Sequence, residues 1–352
     1  MANSDALKIF SLRRVLVPVI LGLAGASYLL YATFDPTALE QIDWTYQTAI
    51  WLFVALLMMA IRDVAYMYRI RILTDNKISW RHSFDVIMLW EFASALTPSV
   101  VGGSSIALYI VHKEGVNVGR STSVVMVTAL MDELFYIVMV PIILLITGMS
   151  NLFPVALQKE IFGITFGTKG LFLLGYGFII LLTSMIIYGV LINPRGFKAI
   201  ILSVFKIRFL RKWRYKGIQV GNDIIIASRE FRSKPFSFWA KAFAATFFSW
   251  TARYWVVNFL ILAFLTVDDH FLIYARQLVM WVIMLISPTP GSSGVAELAF
   301  SGFLGEFTLG LGAALALLWR LFSYYPYLFI GAVVLPNWFR RTHLPDEAKM
   351  NN

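Results

Sequence analysis

Residues 95–105 read Ala95-Leu96-Thr97-Pro98-Ser99-Val100-Val101-Gly102-Gly103-Ser104-Ser105 and interrupt an apolar run that extends from 84 to 111. Pro98 removes a backbone donor and crowds the preceding turn, and the paired glycines weaken any helix passing through them. The run therefore predicts two short helices joined by a break. A second run, 277–307, is broken in the same way by Ser287-Pro288-Thr289-Pro290-Gly291-Ser292-Ser293-Gly294. The echo of Thr97-Pro98 and Gly102-Gly103-Ser104 in Thr289-Pro290 and Gly291-Ser292-Ser293-Gly294 predicts an inverted repeat, with Thr97, Pro98, Gly102, Gly103, Ser104, Thr289, Pro290, Gly291, Ser292 and Gly294 as candidate gating positions. Two proline-kinked helices packed for stability are the competing explanation. Either way, irregular backbone at membrane depth requires an enclosed interior.

Outward from these breaks the chain stays apolar. Of its 352 residues 59% are hydrophobic and 14% charged, and the mean hydropathy is +0.72, too apolar for a water-soluble fold. The expected fold class is an all-α membrane protein, a single polytopic domain over 1–352. Full spans are predicted at about 14–34, 46–68, 120–147, 171–192, 239–266 and 308–335, six in all, with two re-entrant hairpins between them. The repeats are expected at about 46–147 and 239–335. Arg13-Arg14 before the first run resembles a secretory leader, but the run is long and further spans follow, so a retained span is expected. The chain has no cysteine, which excludes disulfides and thiolate chemistry. His82, His112, His270 and His343 lie at span ends or beyond them, so neither a metal site nor a cofactor is expected.

Charge fixes the expected orientation. The net charge of +10 reads as basic loops on the inner face of a membrane, not as a nucleic-acid surface. Residues 193–238 carry Lys or Arg at 195, 198, 206, 208, 211, 212, 214, 216, 229, 232 and 234 against Asp223 and Glu230. The loop 69–83 is basic too, with Arg69, Arg71, Lys77 and Arg81 against Asp75, whereas 35–45 holds only acids. Both basic loops fall on one side only if 84–111 enters and leaves on that side. Arg340-Arg341 joins them only if 277–307 is re-entrant from the other. The two hairpins are thus expected to enter from opposite faces of the cytoplasmic (inner) membrane, with both termini cytoplasmic. In 196–216, Phe197, Ile200, Ile201, Val204, Phe205 and Phe209 interleave with Lys198, Lys206, Arg208, Arg211, Lys212 and Arg214. This pattern suits a basic amphipathic helix on an anionic lipid surface, or a loop that only fixes orientation.

A charge at mid-bilayer costs at least ~2.5 kcal/mol on insertion scales, so each is a candidate functional group. Asp132 and Glu133 are central in 120–147, Arg253 in 239–266 and Arg320 in 308–335, while Glu91 and Glu297 flank the breaks. Four acids against two arginines leave a formal excess of −2. Consecutive Asp132 and Glu133 point about 100° apart on a helix, so one is expected to face a cavity while the other pairs with Arg253 or Arg320. Tyr324 follows Arg320 at i+4 and shares its face. For each of these residues the alternative is a salt bridge that fixes helix packing.

Several stretches resemble a known family. Thr97-Pro98 through Gly102-Gly103, Tyr109-Ile110-Val111-His112-Lys113-Glu114-Gly115, Gly119-Arg120-Ser121-Thr122, Pro290 through Glu297, and Arg320 are similar to the flippase-like membrane region of lysylphosphatidylglycerol synthases, the multiple-peptide-resistance factors, from about residue 10 to 340. The resemblance is to the translocating half without the aminoacyl-transferase domain, so synthase activity is not expected. Many relatives have Gly-Glu after the first proline and Arg-x-x-Asp in the next span; here stand Gly103-Ser104 and Asp132-Glu133 with no arginine, which puts the headgroup in doubt. The resemblance implies translocation of a phospholipid or related amphiphile, with a small-solute or ion carrier as the alternative. Arg320, Arg253 and the half-helix ends suit a phosphate, and Asp132, Glu133 and Glu297 an amine. A homo-oligomer and a separate lipid-modifying enzyme are compatible partners.

Overall fold

The computed structural model describes residues 45–97, 100–153, 158–161, 164–207, 211, 214–285, 292 and 294–350. The expected span 14–34 and the positions Pro98, Thr289, Pro290 and Gly291 lie outside the described residues. The described residues are all-α apart from one short β-hairpin. Helix α1 covers Tyr46–Leu73, α2 Trp80–Leu96, α3 Val100–Lys113, α4 Val118–Thr147 and α5 Met149–Leu152. Strands β1 (Gln158–Ile161) and β2 (Ile164–Gly167) pair antiparallel, in a segment for which the sequence carries no strand signal. Helix α6 (Thr168–Ile187) continues into a π-turn, Tyr188–Ile192. Then follow α7 (Pro194–Val204), α8 (Arg214–Arg232), α9 (Phe236–Leu262), α10 (His270–Met284), α11 (Val295–Leu304), α12 (Gly312–Ser323) and α13 (Tyr325–Met350).

Among the described residues four stretches are long and apolar enough to cross a membrane: Tyr46–Leu73, Val118–Thr147, Thr168–Ile192 and Gly312–Thr342. They answer four of the predicted spans. The 27-residue α9 answers a fifth by length, since it reaches ~40 Å at 1.5 Å per residue. The last span begins at Gly312 rather than 308 and is interrupted at Tyr324, where the backbone leaves helical geometry (φ −130°, ψ −59°). Large apolar side chains face outward along α1 (Ile50, Phe53, Leu57, Val64) and α6 (Leu173, Phe178, Leu181), as lipid contact requires and water disfavours. Inside, α1 and α9 pack along their length.

Both broken runs fold back on themselves. A Cβ on Gly103 would collide with Ser94, whereas nine residues of continuous helix would hold the two positions ~13 Å apart. At the mouth of this hairpin, His82 Nδ1 of α2 lies 3.2 Å from Glu114 Oε2, just after α3. In the second hairpin Arg276 of α10 donates from Nη1 to Phe303 O of α11 at 3.1 Å and pairs with Glu306 at 2.7 Å. The first mouth opens beside the start of α4. The second opens beside its end, since Arg276 Nε donates to Asn151 O at 2.8 Å. As α4 is ~45 Å long, the hairpins enter from opposite ends of the bundle, the arrangement of an inverted repeat.

The end holding the first mouth is also the basic one. There Arg120 bridges Asp75 (3.0 Å) and Glu230 (2.9 Å), Lys234 reaches Asp75 (2.6 Å), and Arg341 binds Glu114 (2.6 Å) and Asp85 (2.9 Å). One assignment changes. Helix α1 continues to Leu73, so Arg69 is not a loop charge but a buried residue of its last turns.

Because the chain has no cysteine, single-cysteine variants report topology without background. Arg81→Cys and Val118→Cys, on either side of the first hairpin, should react with a membrane-impermeant thiol reagent from one face of sealed vesicles. Asp268→Cys and Gly305→Cys should react from the other face only. Labelling of Arg81→Cys and Val118→Cys from opposite faces would show that 84–111 crosses the membrane.

Candidate functional site

The tips of both hairpins meet at one cavity of about 300 Å³. Ala95, Thr97 and Ser104 line it from the first tip and Met284, Leu285 and Ser292 from the second. Helices α1, α4, α9 and α12 complete the wall with Tyr66, Arg69, Thr128, Asp132, Glu133, Trp250, Arg253, Trp319 and Arg320. Asp132 and Glu133 are the fifteenth and sixteenth residues of the 30-residue α4, so the cavity sits near the middle of that span.

Of the residues singled out in the sequence, Glu91, Asp132, Glu133, Arg253, Arg320 and Tyr324 line this cavity together. Glu297 is buried behind it and holds Arg320, Oε1 to Nε 3.1 Å. Its other oxygen accepts from Gly294 N at 2.7 Å. The start of α11 is thus capped by its own third residue and does not offer that N–H to a guest, contrary to expectation. The Arg320 guanidinium lies 3.8 Å over the Tyr324 ring, and Tyr324 OH donates to Ala95 O of the first tip at 3.2 Å.

One of Asp132 and Glu133 was expected to pair with Arg253 or Arg320, and it is Asp132 that is paired. The structure gives it Arg69 instead, at 2.6 and 3.3 Å, with Trp250 Nε1 donating at 2.9 Å. Arg69 also donates to Thr246 of α9 at 2.8 Å. Two turns further from the basic end, the fully buried Arg62 pairs with Asp63 at 2.7 Å and with Glu91 of the first hairpin at 2.5 Å. Tyr327 OH donates to Asp63 at 2.8 Å. Tyr66 lies under both guanidiniums, each 4.6 Å from its centroid.

Arg62, Asp63, Tyr66 and Arg69 were missed as site residues, although two signals pointed to them. Arg62-Asp63 is a charged pair inside an apolar run, and 62, 66 and 69 recur at i, i+4 and i+7 on one helix face. Including them changes the charge count. Asp63, Glu91, Asp132, Glu133 and Glu297 stand against Arg62, Arg69, Arg253 and Arg320, five acids and four bases, a formal −1 in place of the expected −2.

Two of these charges remain unengaged. Among the described residues Glu133 makes no ion pair, and its buried Oε2 meets no hydrogen-bond partner. Arg253 likewise has no ion pair there, its buried Nε has no acceptor, and its guanidinium lies against Trp281 (4.6 Å) and Trp250 (5.4 Å).

Broken helices entering a bundle from opposite ends, with tips closing on a charged midplane cavity, define a polytopic membrane protein built around an internal polar site. Comparison with known proteins gives its kinship. The chain belongs to the family described as the lysylphosphatidylglycerol synthase TM region, which it matches over residues 15–331. It is 26% identical over 270 residues to a UPF0104 membrane protein of Archaeoglobus fulgidus, covering 73% of this chain and 76% of that protein. No solved structure gives a significant match.

The pairing pattern separates structural charges from free ones by stability. Glu297→Gln strands Arg320 in the interior and should cost about 3–5 kcal/mol, most of it recovered in Glu297→Gln/Arg320→Gln. Glu133→Gln and Arg253→Gln break no pair and should stay within about 1 kcal/mol of the parent. Reversible denaturant unfolding in mixed micelles measures all four.

Proposed function

We propose that the protein translocates a phospholipid or related amphiphile across the cytoplasmic membrane, its headgroup passing through the cavity while the hairpin tips give access alternately from either side. The observation that carries this is the junction of two opposed hairpin tips at a charge-lined space in mid-span. Headgroups cross a bilayer slowly because their charges must enter hydrocarbon. A cavity that offers both signs of charge at that depth lowers this barrier, and opposed broken helices supply a symmetric way to open it. Membership of a family named for a lipid synthase's membrane region points to the same class of substrate. The protein's part is movement rather than aminoacyl transfer.

The basic end is cytoplasmic on this reading, by the excess of Lys and Arg there. Helix α7 supports it. None of its residues is buried, Ile200 and Val204 face outward, and Lys198 is held by Asn222 of α8 at 2.7 Å. Such a helix suits an anionic leaflet against which its apolar face lies.

Translocation is measurable with headgroup-labelled zwitterionic, cationic and anionic lipids in proteoliposomes holding the full chain. Movement should be protein-dependent and selective among headgroups. It should fall to the protein-free rate in Ala129→Trp, which fills the cavity, and persist in Phe178→Ala on the outer face of α6. No movement of any lipid by folded protein, with and without an imposed proton gradient, would sink the proposal. Uptake of a labelled small polar solute by the same vesicles would then identify a solute carrier.

A further inference from the structure

Four of the five acids, of which Glu297 is buried and the others half-buried, are taken by three of the four arginines: Asp63 and Glu91 by Arg62, Asp132 by Arg69, and Glu297 by Arg320. That leaves one carboxylate, Glu133, and one guanidinium, Arg253, both on the cavity wall. They do not pair with each other, for no ion pair within 4.0 Å joins them. We infer that Glu133 and Arg253 form a two-point recognition site for a zwitterionic ligand, whose phosphate engages Arg253 and whose amine engages Glu133. The inference takes its setting from the translocation reading and adds the substrate's charge pattern and the two residues that read it.

Each residue is held for this task by its neighbours. Trp281 and Trp250 lie against the Arg253 guanidinium, holding it at the wall by cation–π contact that leaves its N–H groups for an oxyanion. A planar fork of this kind suits a phosphate, which it can grip through two parallel hydrogen bonds. Glu133 follows Asp132 on α4, and the ~100° step between them leaves Asp132 bound to Arg69 and Trp250 and Glu133 unengaged.

Charge then selects the guest. An unpaired ion in a space poor in water is costly, and a ligand of one sign relieves only one of the two. A plain anion leaves Glu133 unmatched and also meets the Arg62 cluster, which holds two acids against one base. A plain cation leaves Arg253 unmatched. A ligand with a phosphate and an ammonium group on one short linker satisfies both, and the same chemistry occurs in a lipid headgroup and in a free phosphorylated amine.

The test is calorimetric titration of the detergent-solubilised full chain with glycerophosphoethanolamine, its N-acetyl and N-methyl derivatives, ethanolamine, and short-chain phosphatidylethanolamine. N-acetylation removes the ammonium charge and should weaken binding to the wild type by about tenfold or more, the size of one charge-assisted hydrogen bond. N-methylation keeps the charge and should change little. In Glu133→Gln the tenfold discrimination should collapse to less than twofold. In Arg253→Gln all four phosphate-bearing probes should weaken about tenfold, while ethanolamine binding should not change. Equal wild-type affinity for the parent and N-acetyl probes overturns the inference, a comparison that involves no variant and so no question of folding. Discrimination that survives Glu133→Gln overturns it too. Tighter binding of the short-chain lipid than of the soluble probe identifies a lipid headgroup as the source, and equal binding identifies a free phosphorylated amine. Headgroup-indifferent lipid movement would leave translocation standing and remove this site, whereas charge-selective binding without lipid movement would do the reverse.

Discussion

A guanidinium cannot shed its proton inside a protein, so an arginine at the depth of a bilayer must find its counter-charge within the fold. This chain gathers four of them around one space, three buried and Arg253 half-buried, and the packing of its helices follows from how the buried three are answered. Arg62 ties α1 to the first hairpin through Glu91, Arg69 ties α1 to α4 through Asp132, and Arg320 ties α12 to the second hairpin through Glu297. Each hairpin thus carries one glutamate that an arginine of a neighbouring helix holds, and both links lie near the tips rather than the mouths. Tyr66 beneath Arg62 and Arg69, and Tyr324 beneath Arg320, supply cation–π faces where lipid or water would otherwise be needed.

The same links explain how the breaks are tolerated. A helix that stops in mid-membrane leaves carbonyls and N–H groups without partners, and lipid cannot supply them. Here the first tip is closed from outside its own hairpin, Tyr324 donating to Ala95 O, and Thr97 hydroxyl turns back onto Ala93 O at 2.9 Å. At the second, Glu297 answers Gly294 N, whose φ of +82° is a conformation that glycine adopts without strain. The mouths are stapled separately, by His82, Glu114 and Arg341 at one end and by Arg276 with Glu306 at the other. Tips and mouths are therefore held by independent sets of interactions, so a tip can shift without opening its mouth.

Much of this was legible in the residues. The breaks announced themselves through proline and glycine, because those residues act on the backbone directly and need no partner to be recognised. The opposed entry of the hairpins followed from the loop charges. Pairing was not legible, for an ion pair between α1 and α4 depends on which helices become neighbours, and apolar runs that resemble one another do not encode that. Arg69 shows the cost. Counted as a loop charge, it left Asp132 without its arginine, which α1 supplies from across the bundle. The interruption at Tyr324 carried the same kind of signal in Pro326, two residues on, but a lone proline in a run that is apolar on both sides reads as readily as a kink in a continuous span.

Asp132 and Glu133 show how a helix can separate scaffold from site within two residues. The first is committed to Arg69 and Trp250, so moving it means breaking α1 away from α4, and its charge is spent on the bundle. The second projects about 100° away, onto the cavity wall, where among the described residues no base pairs with it. Arg253 stands in the same relation to α9: Thr246 and Ser249 of that helix join it to α1 through Arg69 and the Arg62 carbonyl, while Arg253 rests only against indole rings. Helices α1, α4 and α9 are thus locked together by residues that share α4 and α9 with the two charges left free. A guest that engages Glu133 and Arg253 bridges elements already fixed to each other, so binding need not draw on the energy that holds the bundle, and motion is left to the hairpin tips.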